Sequence, residues 1–446
     1  MRSATASSAS AATRREQARP RRGTRRVRLL LMAELGIGDE IELTIGDVAH
    51  GGVFVARHDG LAIFVTDTAP GERVLARVTD VKRRFARADT LRVLDASPER
   101  HDHIWPEAGI DRDPTERVGG AEFGHLRLPA QRDLKQRVLT DALSRFAHLD
   151  LSPSIEALPG DDDLSGTRWR TRTTLHVDRY GTVGPYAARS HRIIPVASLP
   201  LAVPDLEELA PLHGRKPGTS GRIDLVQPSD LDARALFHPA DRRGKRKQPA
   251  VIEERVGERT FRLDETGFWQ VHRLAASTLF DAVKDAVNRD AFDPSARNLD
   301  LYGGVGLLAA AIGEIGGPDT RIETVEAVEP ATTHAHANLA EWPNSSAVTA
   351  RVDHFLRAIV EGEGSGALDG ATVVLDPPRS GAGEDVVTML DALRPAQIVY
   401  VACDPVALAR DAGTLRNLGW TLDQVRGFDL FPNTHHLESV ARFTRE

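Results

Sequence analysis

The sequence predicts an α/β protein. A doubly wound parallel sheet with helices on both faces fills its carboxyl-terminal part, behind a small five-stranded barrel and a strand-rich central domain. Three observations predict this. Residues 38–96 are short alternating runs broken at Gly51, Gly52, Gly60 and Gly71, the pattern of a small all-β unit. Residues 165–265 alternate again, as in "TRWRTRTTLHVDRYGTVG". From about residue 266, apolar strand-like runs take turns with helix-like stretches, which is how a parallel sheet wrapped by helices reads.

Composition bounds the answer. The 446 residues have room for roughly two to four domains. With 41% hydrophobic and 27% charged residues, the chain has the makeup of a globular protein. No apolar run reaches the roughly 18 residues of a membrane span. A single cysteine excludes an intramolecular disulfide and any all-cysteine metal cage, and it fits a reducing cytoplasm. The net charge of -7 is uneven: residues 1–31 carry nine arginines against Glu16, so they hold +8 and the rest -15. Residues 1–37 read as a basic tail. It is either a disordered arm or an extension ahead of Met32, and it is assigned no function.

Residues 38–97 are expected to form the barrel. Its segment "VKRRFAR" places Lys82, Arg83 and Arg84 beside Phe85, so cations are available for phosphates and a ring for a base. A solvated edge strand guarded by charge reads the same way. Residues 98–265 form the central domain, with a helix over 130–149 whose stripe is Leu134, Val138, Leu139, Leu143 and Phe146. The basic stretch 241–248 and the alternate arginines Arg168, Arg170 and Arg172 are either RNA contacts or plain surface.

Residues 266–446 carry the chemistry. In "LDLYGGVG" an apolar strand ends in a glycine turn, which lets backbone approach a ligand, and no lysine follows to grip a phosphate. In "VEAVE", Glu326 ends the next strand, where a carboxylate accepts hydrogen bonds from ribose hydroxyls. In "VVLDPPRSG", four apolar residues deliver Asp376 to a strand end, two prolines stiffen the loop, and Arg379 can clamp an anion. "VYVACDPVAL" ends its strand at Cys403, so the lone thiol shares the edge with Asp376. A lone cysteine is by base rate a packing residue; this one lies where ligands bind. "FPNTHHLESVARF" adds Glu438, placed to act as a base beside a thiol nucleophile. His435, His436 and Glu438 gain no further partner in the sequence, so no metal is predicted.

Together these residues resemble the class I S-adenosylmethionine-dependent RNA 5-methyluridine methyltransferases with an amino-terminal TRAM domain. The resemblance runs from about residue 38 to the end. It rests on "VVLDPPRSG", "VACDPVALARD" and "FPNTHHLESVARF", in that order, and on "TGFWQVHRLAASTL" ahead of them. It implies a Rossmann-like methyltransferase sheet over 266–446 and an OB-like TRAM barrel over 38–97. It also implies S-adenosylmethionine contacts at Gln270, Tyr302, Glu326 and Asp376, and RNA contacts at Arg379 and at Lys82, Arg83, Arg84 and Phe85. Cys403 is the implied nucleophile that adds to uracil C6, and Glu438 the base that removes the C5 proton. The expected partner is rRNA or tRNA, with the target base outside a helical stack; a cytoplasmic monomer is expected.

The sequence departs from that pattern in four places. The cysteines that hold an iron–sulfur cluster in many members are absent from "VGGAEFGHLRLPAQRDLKQ" (118–136) and "ASLPLA" (197–202), so no cluster is predicted. Gly303 replaces a cysteine. Asp404 replaces an asparagine after the nucleophile and is expected to raise the thiol's pKa. His435 stands in place of a glycine. Two alternatives stay open: a non-catalytic RNA-binding or ribosome-assembly factor on a methyltransferase fold, and a methyltransferase of another RNA target.

Overall fold

The computed structural model describes residues 35–214, 218, 220–240 and 248–445. The basic tail lies outside them, as does all but the last residue of the basic stretch 241–248.

The barrel comes first: β1 (Glu40–Ala49), β2 (Val53–His58), β3 (Leu61–Thr66), β4 (Arg73–Val81) and β5 (Phe85–Asp95) close in the order β1-β2-β3-β5-β4. Alternate residues such as Leu43, Ile45, Phe54, Ile63 and Val74 point inward and are buried, as the pleat requires.

The chain then forms α1 (Leu128–Ala142), which widens into a π-turn at Leu143–Ala147 and stops at His148, φ 54°. This departs from the even helix expected over 130–149. The widened turn leaves Phe146 off the buried stripe, 44% exposed. Leu134 packs into the barrel core, whereas Leu139, Ala142 and Leu143 pack into the core of the large sheet. The helix expected within the central domain therefore joins the barrel to the sheet, because a stripe on a helix does not say what it packs against. The strand that follows, β6 (Ile155–Glu156), likewise joins that sheet.

The central sheet contains β7 (Arg172–Val177), β8 (Val183–Gly184), β9 (Gly221–Val226) and β10 (Arg234–Pro239), in the order β10-β9-β7-β8, with the short α2 (Pro204–Leu209) between β8 and β9. A hairpin of β11 (Val251–Val256) and β12 (Arg259–Asp264) follows. Its Ile252, Phe261 and Leu263 share a core with α3 (Ala275–Ala286).

The large sheet is built by β13 (Asn298–Leu301), α4 (Leu307–Gly316), β14 (Ile322–Glu326), α5 (Glu329–Asn338), β15 (Ser345–Thr349), α6 (Val352–Gly362), β16 (Thr372–Leu375), α7 (Glu384–Leu393), β17 (Gln397–Ala402), α8 (Pro405–Asn417), β18 (Thr421–Phe428) and β19 (Glu438–Thr444). The order is β15-β14-β13-β16-β17-β19-β18-β6, parallel from β15 to β17, with β19 antiparallel. Strand β17 is buried along its whole length. Val399 and Val401 face the core under α3 and α4, while Ile398 and Tyr400 face the one under α1, α6, α7 and α8. Each such side chain contributes about 1.5–3 kcal/mol of burial, so Val399→Asp would break the sheet at the strand that carries the cysteine. The predicted doubly wound sheet and five-stranded barrel are both present.

Candidate active site

Parallel strands of an open sheet end together, and five neighbouring strands end here in polar side chains. In spatial order β14, β13, β16, β17 and β19 bring Glu326, Tyr302, Asp376, Cys403 and Glu438 to one edge. Register fixes the alignment: Leu301 lies opposite Val325 and Leu375, and Leu375 opposite Tyr400. Because β19 runs antiparallel, it is its first residue, Glu438, that lies at this edge.

The glycine turn after β13 holds Tyr302 in the left-handed region, φ 62°. The Gly304 amide donates to Glu326 Oε2 (3.3 Å) and the Val328 amide to Oε1 (2.9 Å), so the carboxylate is held by backbone. Beneath it, buried Asp300 accepts from the Ala309 amide (3.0 Å) and the Thr324 hydroxyl (3.1 Å). Burial pushes Asp300 up to about 7. A Cβ at Gly303 would lie 2.0 Å from Thr324 Oγ1 and 2.5 Å from Asp300 Oδ2, so this backbone admits only glycine there. Gln270 is half-buried in the loop between β12 and α3, next to Trp269, which packs in the same core as Val305 of the glycine turn. Phe268 of that loop is 74% exposed.

The loop after Asp376 is pinned from α8. Asp411 Oδ2 accepts from the Ala382 amide (2.8 Å), the Gly383 amide (3.2 Å) and the Tyr400 hydroxyl (2.6 Å). This explains the aspartate closing "VACDPVALARD": it fixes the end of "DPPRSG". Exposed Arg379 reaches His436 Nε2 at 3.3 Å.

Around Cys403 the electrostatics are acidic. Burial, then the Glu438 and Asp376 carboxyls, push the thiol up to about 12, with Arg379 opposing. Burial raises Asp376 to about 7, and burial with Asp376 nearby holds Glu438 well above the usual carboxylate range. Asp404 does not act as expected. Its Oδ1 caps α8, accepting from the Val406 (3.0 Å) and Ala407 (2.8 Å) amides, and its Oδ2 pairs with His50 Nε2 at 2.8 Å. Burial alone would raise Asp404, but these bonds outweigh it and lower its pKa. The carboxylate is spent on the helix start and on a barrel histidine.

That histidine shows what the sequence hid. The β1–β2 turn of the barrel reaches the site, and a cavity of about 100 Å³ is lined by His50, Gly52, Lys135, Arg379, Cys403 and His436 among others. Gly52 (φ +73°) presses against His435, whose Cβ would sit 2.7 Å from an added Cβ, so the bulk at 435 is met by a glycine in the barrel. His435 Nδ1 lies 3.2 Å from Glu122 Oε2. Burial favours neutral Glu122, but the His435 pairing outweighs it and holds Glu122 down to about 2. Burial, then His435, lowers His436 to about 3. Lys135 of α1 is buried in an ion pair with Asp429. His50, Glu122 and Lys135 lie hundreds of residues from Cys403, and only an amphipathic helix carrying a lysine on its buried side signals any of them.

The predicted RNA patch is elsewhere. Phe85 pairs with Ala62 and His58 with Leu61, whereas Val53 pairs with Ala49. Lys82, Arg83, Arg84 and Phe85 thus lie at the end of the barrel away from Cys403, about 15–20 Å from His50 along the strands. There Phe85 meets Phe64 edge-on (5.5 Å) and Arg87 (5.8 Å), and Lys82 pairs with Asp80 (3.1 Å).

Residues 35–91 match the TRAM domain, and residues 354–446 match the family described as tRNA (Uracil-5-)-methyltransferase. An RNA methyltransferase of Streptomyces avermitilis is 36% identical over 439 residues, covering 91% of this chain and 98% of that protein. The chain belongs to the TRAM-bearing RNA (uracil-5-)-methyltransferase family. A second relative, the 23S rRNA (uracil(1939)-C(5))-methyltransferase RlmD of Shewanella sediminis, is 28% identical and covers 91% of this chain and 96% of its own length. In fold, the chain is similar to the Pyrococcus abyssi tRNA (uracil-54, C5)-methyltransferase solved with S-adenosyl-L-homocysteine, at TM-score 0.65 and 20% identity, covering 90% of this chain and 99% of that one. Among the described residues no helix is long and apolar enough to cross a membrane.

Proposed function

We propose that this enzyme methylates C5 of a uridine in structured RNA, with S-adenosylmethionine as donor and Cys403 as covalent nucleophile. The observation that carries the reading is the row of polar strand ends, Glu326, Tyr302 and Asp376 on one side and Cys403 and Glu438 on the other, on five adjacent strands. The first three suit the donor. Glu326 is a carboxylate oriented by two amides for ribose hydroxyls, Gly304, where an added Cβ would meet open space, leaves no side chain in the way, and Asp376 adds an acidic wall toward a sulfonium. Gln270 completes the set that would hold it. When bound, S-adenosylmethionine supplies an electrophilic methyl group.

The remaining chemistry belongs to the chain. Uracil C5 is a weak nucleophile. Cys403 Sγ, as thiolate, adds to C6 and pushes the electron pair onto the C4 carbonyl, so C5 becomes nucleophilic. After C5 gains its methyl, Glu438 takes the C5 proton, and the returning electron pair expels Sγ from C6. Arg379 and the barrel turn around His50 bound the base on the outer side. Without ligands, burial keeps the thiol protonated and holds Glu438 well above the usual carboxylate range. A cation bound at Asp376 favours the ionised carboxylates, and a base filling the pocket takes the place of water.

The test is product identity. Purified protein, S-adenosylmethionine and RNA from cells lacking the gene should yield 5-methyluridine by nucleoside mass spectrometry at one position. Methyl on another nucleoside or on ribose refutes the reading. Relatives named for rRNA and for tRNA both match, so the rRNA and tRNA fractions are read separately.

A further inference from the structure

A second cavity, of about 560 Å³, opens in the central domain between β7–β9 and the chain around Trp105 and Gly120. We propose that it is a second nucleotide pocket, which takes a phosphate-bearing nucleotide of the RNA next to the target uridine. The inference rests on the RNA-methyltransferase reading and adds a site to it.

Its size is that of a small-ligand pocket, and its walls combine apolar side chains with a few converging polar ones. Leu199, Leu201 and Val271 supply apolar surface; Arg170, Arg172 and Arg222 supply cations. Two of these arginines are already neutralised, Arg172 by Glu254 (3.1 Å) and Arg222 by Asp224 (3.0 Å). Arg170 is not. Its Nε donates to the Arg172 carbonyl (2.9 Å), its guanidinium lies 5.6 Å from the Trp169 ring, and among the described residues no carboxylate forms an ion pair with it. Burial pulls its pKa below the usual arginine value, with the more distant Glu122 carboxylate opposing. A largely desolvated guanidinium with no carboxylate in direct contact can still take an anion, and its planar fork suits a phosphate.

Two further donors on the lining residues, Trp105 Nε1 and Arg172 Nε, are buried and unpartnered. The acids in the lining do not offset Arg170: Asp224 also meets His238 (3.0 Å), and Glu265 meets Arg234 (3.1 Å).

Position supports a neighbouring nucleotide. Gly119 and Gly120 line this cavity and Phe123 lines the one at Cys403. Three residues of chain span at most about 10 Å, so one RNA strand can occupy both.

The test uses fluorescein-labelled nonauridylate and the full-length protein, read by anisotropy from 50 to 200 mM KCl. Arg170→Ala should weaken binding at least fivefold and reduce the slope of log affinity against log salt by about 0.7, the contribution of one single-strand phosphate. Thr173→Trp, which fills the cavity from β7 without removing charge, should weaken binding to a similar degree. The proposal is overturned if wild type does not bind the oligonucleotide, if both variants bind as wild type does, or if only Arg170→Ala loses affinity. Binding is read without methyl transfer. A protein that binds as expected but makes no 5-methyluridine would therefore refute the reaction and leave the pocket standing.

Discussion

Cys403 is the only cysteine in the chain, so any thiol reagent reports on it alone. An ordinary thiol titrates at about 9, and this one is pushed up to about 12, by burial first and then by Glu438 and Asp376. Three units amount to about a thousandfold less thiolate: at pH 8, about one molecule in ten thousand instead of about one in ten. Iodoacetamide should therefore label the ligand-free protein about a thousandfold more slowly than the urea-unfolded protein at the same pH, with the rate still climbing at pH 10. Replacing Glu438 by Gln removes a carboxyl that raises the thiol once it ionises, and should speed labelling at the alkaline end of the pH range. Arg379→Ala should slow it. Asp404→Asn should leave it unchanged, because that carboxylate is engaged by the α8 amides and His50. A titration at or below 9, or a large effect of Asp404→Asn with none of Glu438→Gln, would refute this account of the thiol.

Other outcomes follow from the same contacts. Asp404→Ala should cost about 1–2 kcal/mol in urea denaturation through the lost cap; Asp404→Asn keeps the cap and should cost under about 1 kcal/mol, because His50 is half-exposed. The His50 pair raises one pKa and lowers the other. Its contribution should thus fade above His50's raised value and below Asp404's lowered one, and a flat pH dependence of the Asp404→Asn difference would contradict it. Glu438 binds its proton more tightly folded than unfolded, so wild type loses stability as pH rises past the ordinary glutamate value of 4.5. Glu438→Gln should be nearly neutral at pH 4 and stabilising by about 1–3 kcal/mol at pH 8, while turnover is lost; destabilisation at pH 8 would show the carboxylate to be ionised and paired. Gly52→Val should drive its side chain into His435 and raise the RNA KM with a lowered Tm, and an unchanged Tm would mean the barrel turn does not pack there.

Much of this site was legible because parallel strands deliver residues to one edge in a fixed direction. Asp376 and Cys403 each end an apolar run, so their shared edge follows from the chain alone. The helix stripe of α1 was legible as well, but its two partners were not: Leu134 meets the barrel and Leu139 the sheet. Asp404 reads as a hindrance beside a nucleophile, and its role as a cap shared with His50 depends on where a hairpin more than 350 residues away comes to lie. The same docking explains His435, whose added bulk is matched by Gly52. The aromatic and basic segment at Lys82–Phe85 was recognisable as surface, yet which end of the barrel faces the thiol depends on strand register.

The most direct test is the covalent bond. Incubated with S-adenosylmethionine and RNA carrying 5-fluorouridine at the target position, the wild-type protein should give a protein–RNA adduct that survives a denaturing gel, because fluorine at C5 leaves Glu438 no proton to remove. Cys403→Ala should give none. An adduct that persists in Cys403→Ala, or wild-type 5-methyluridine formation without any adduct, would contradict nucleophilic attack by Cys403.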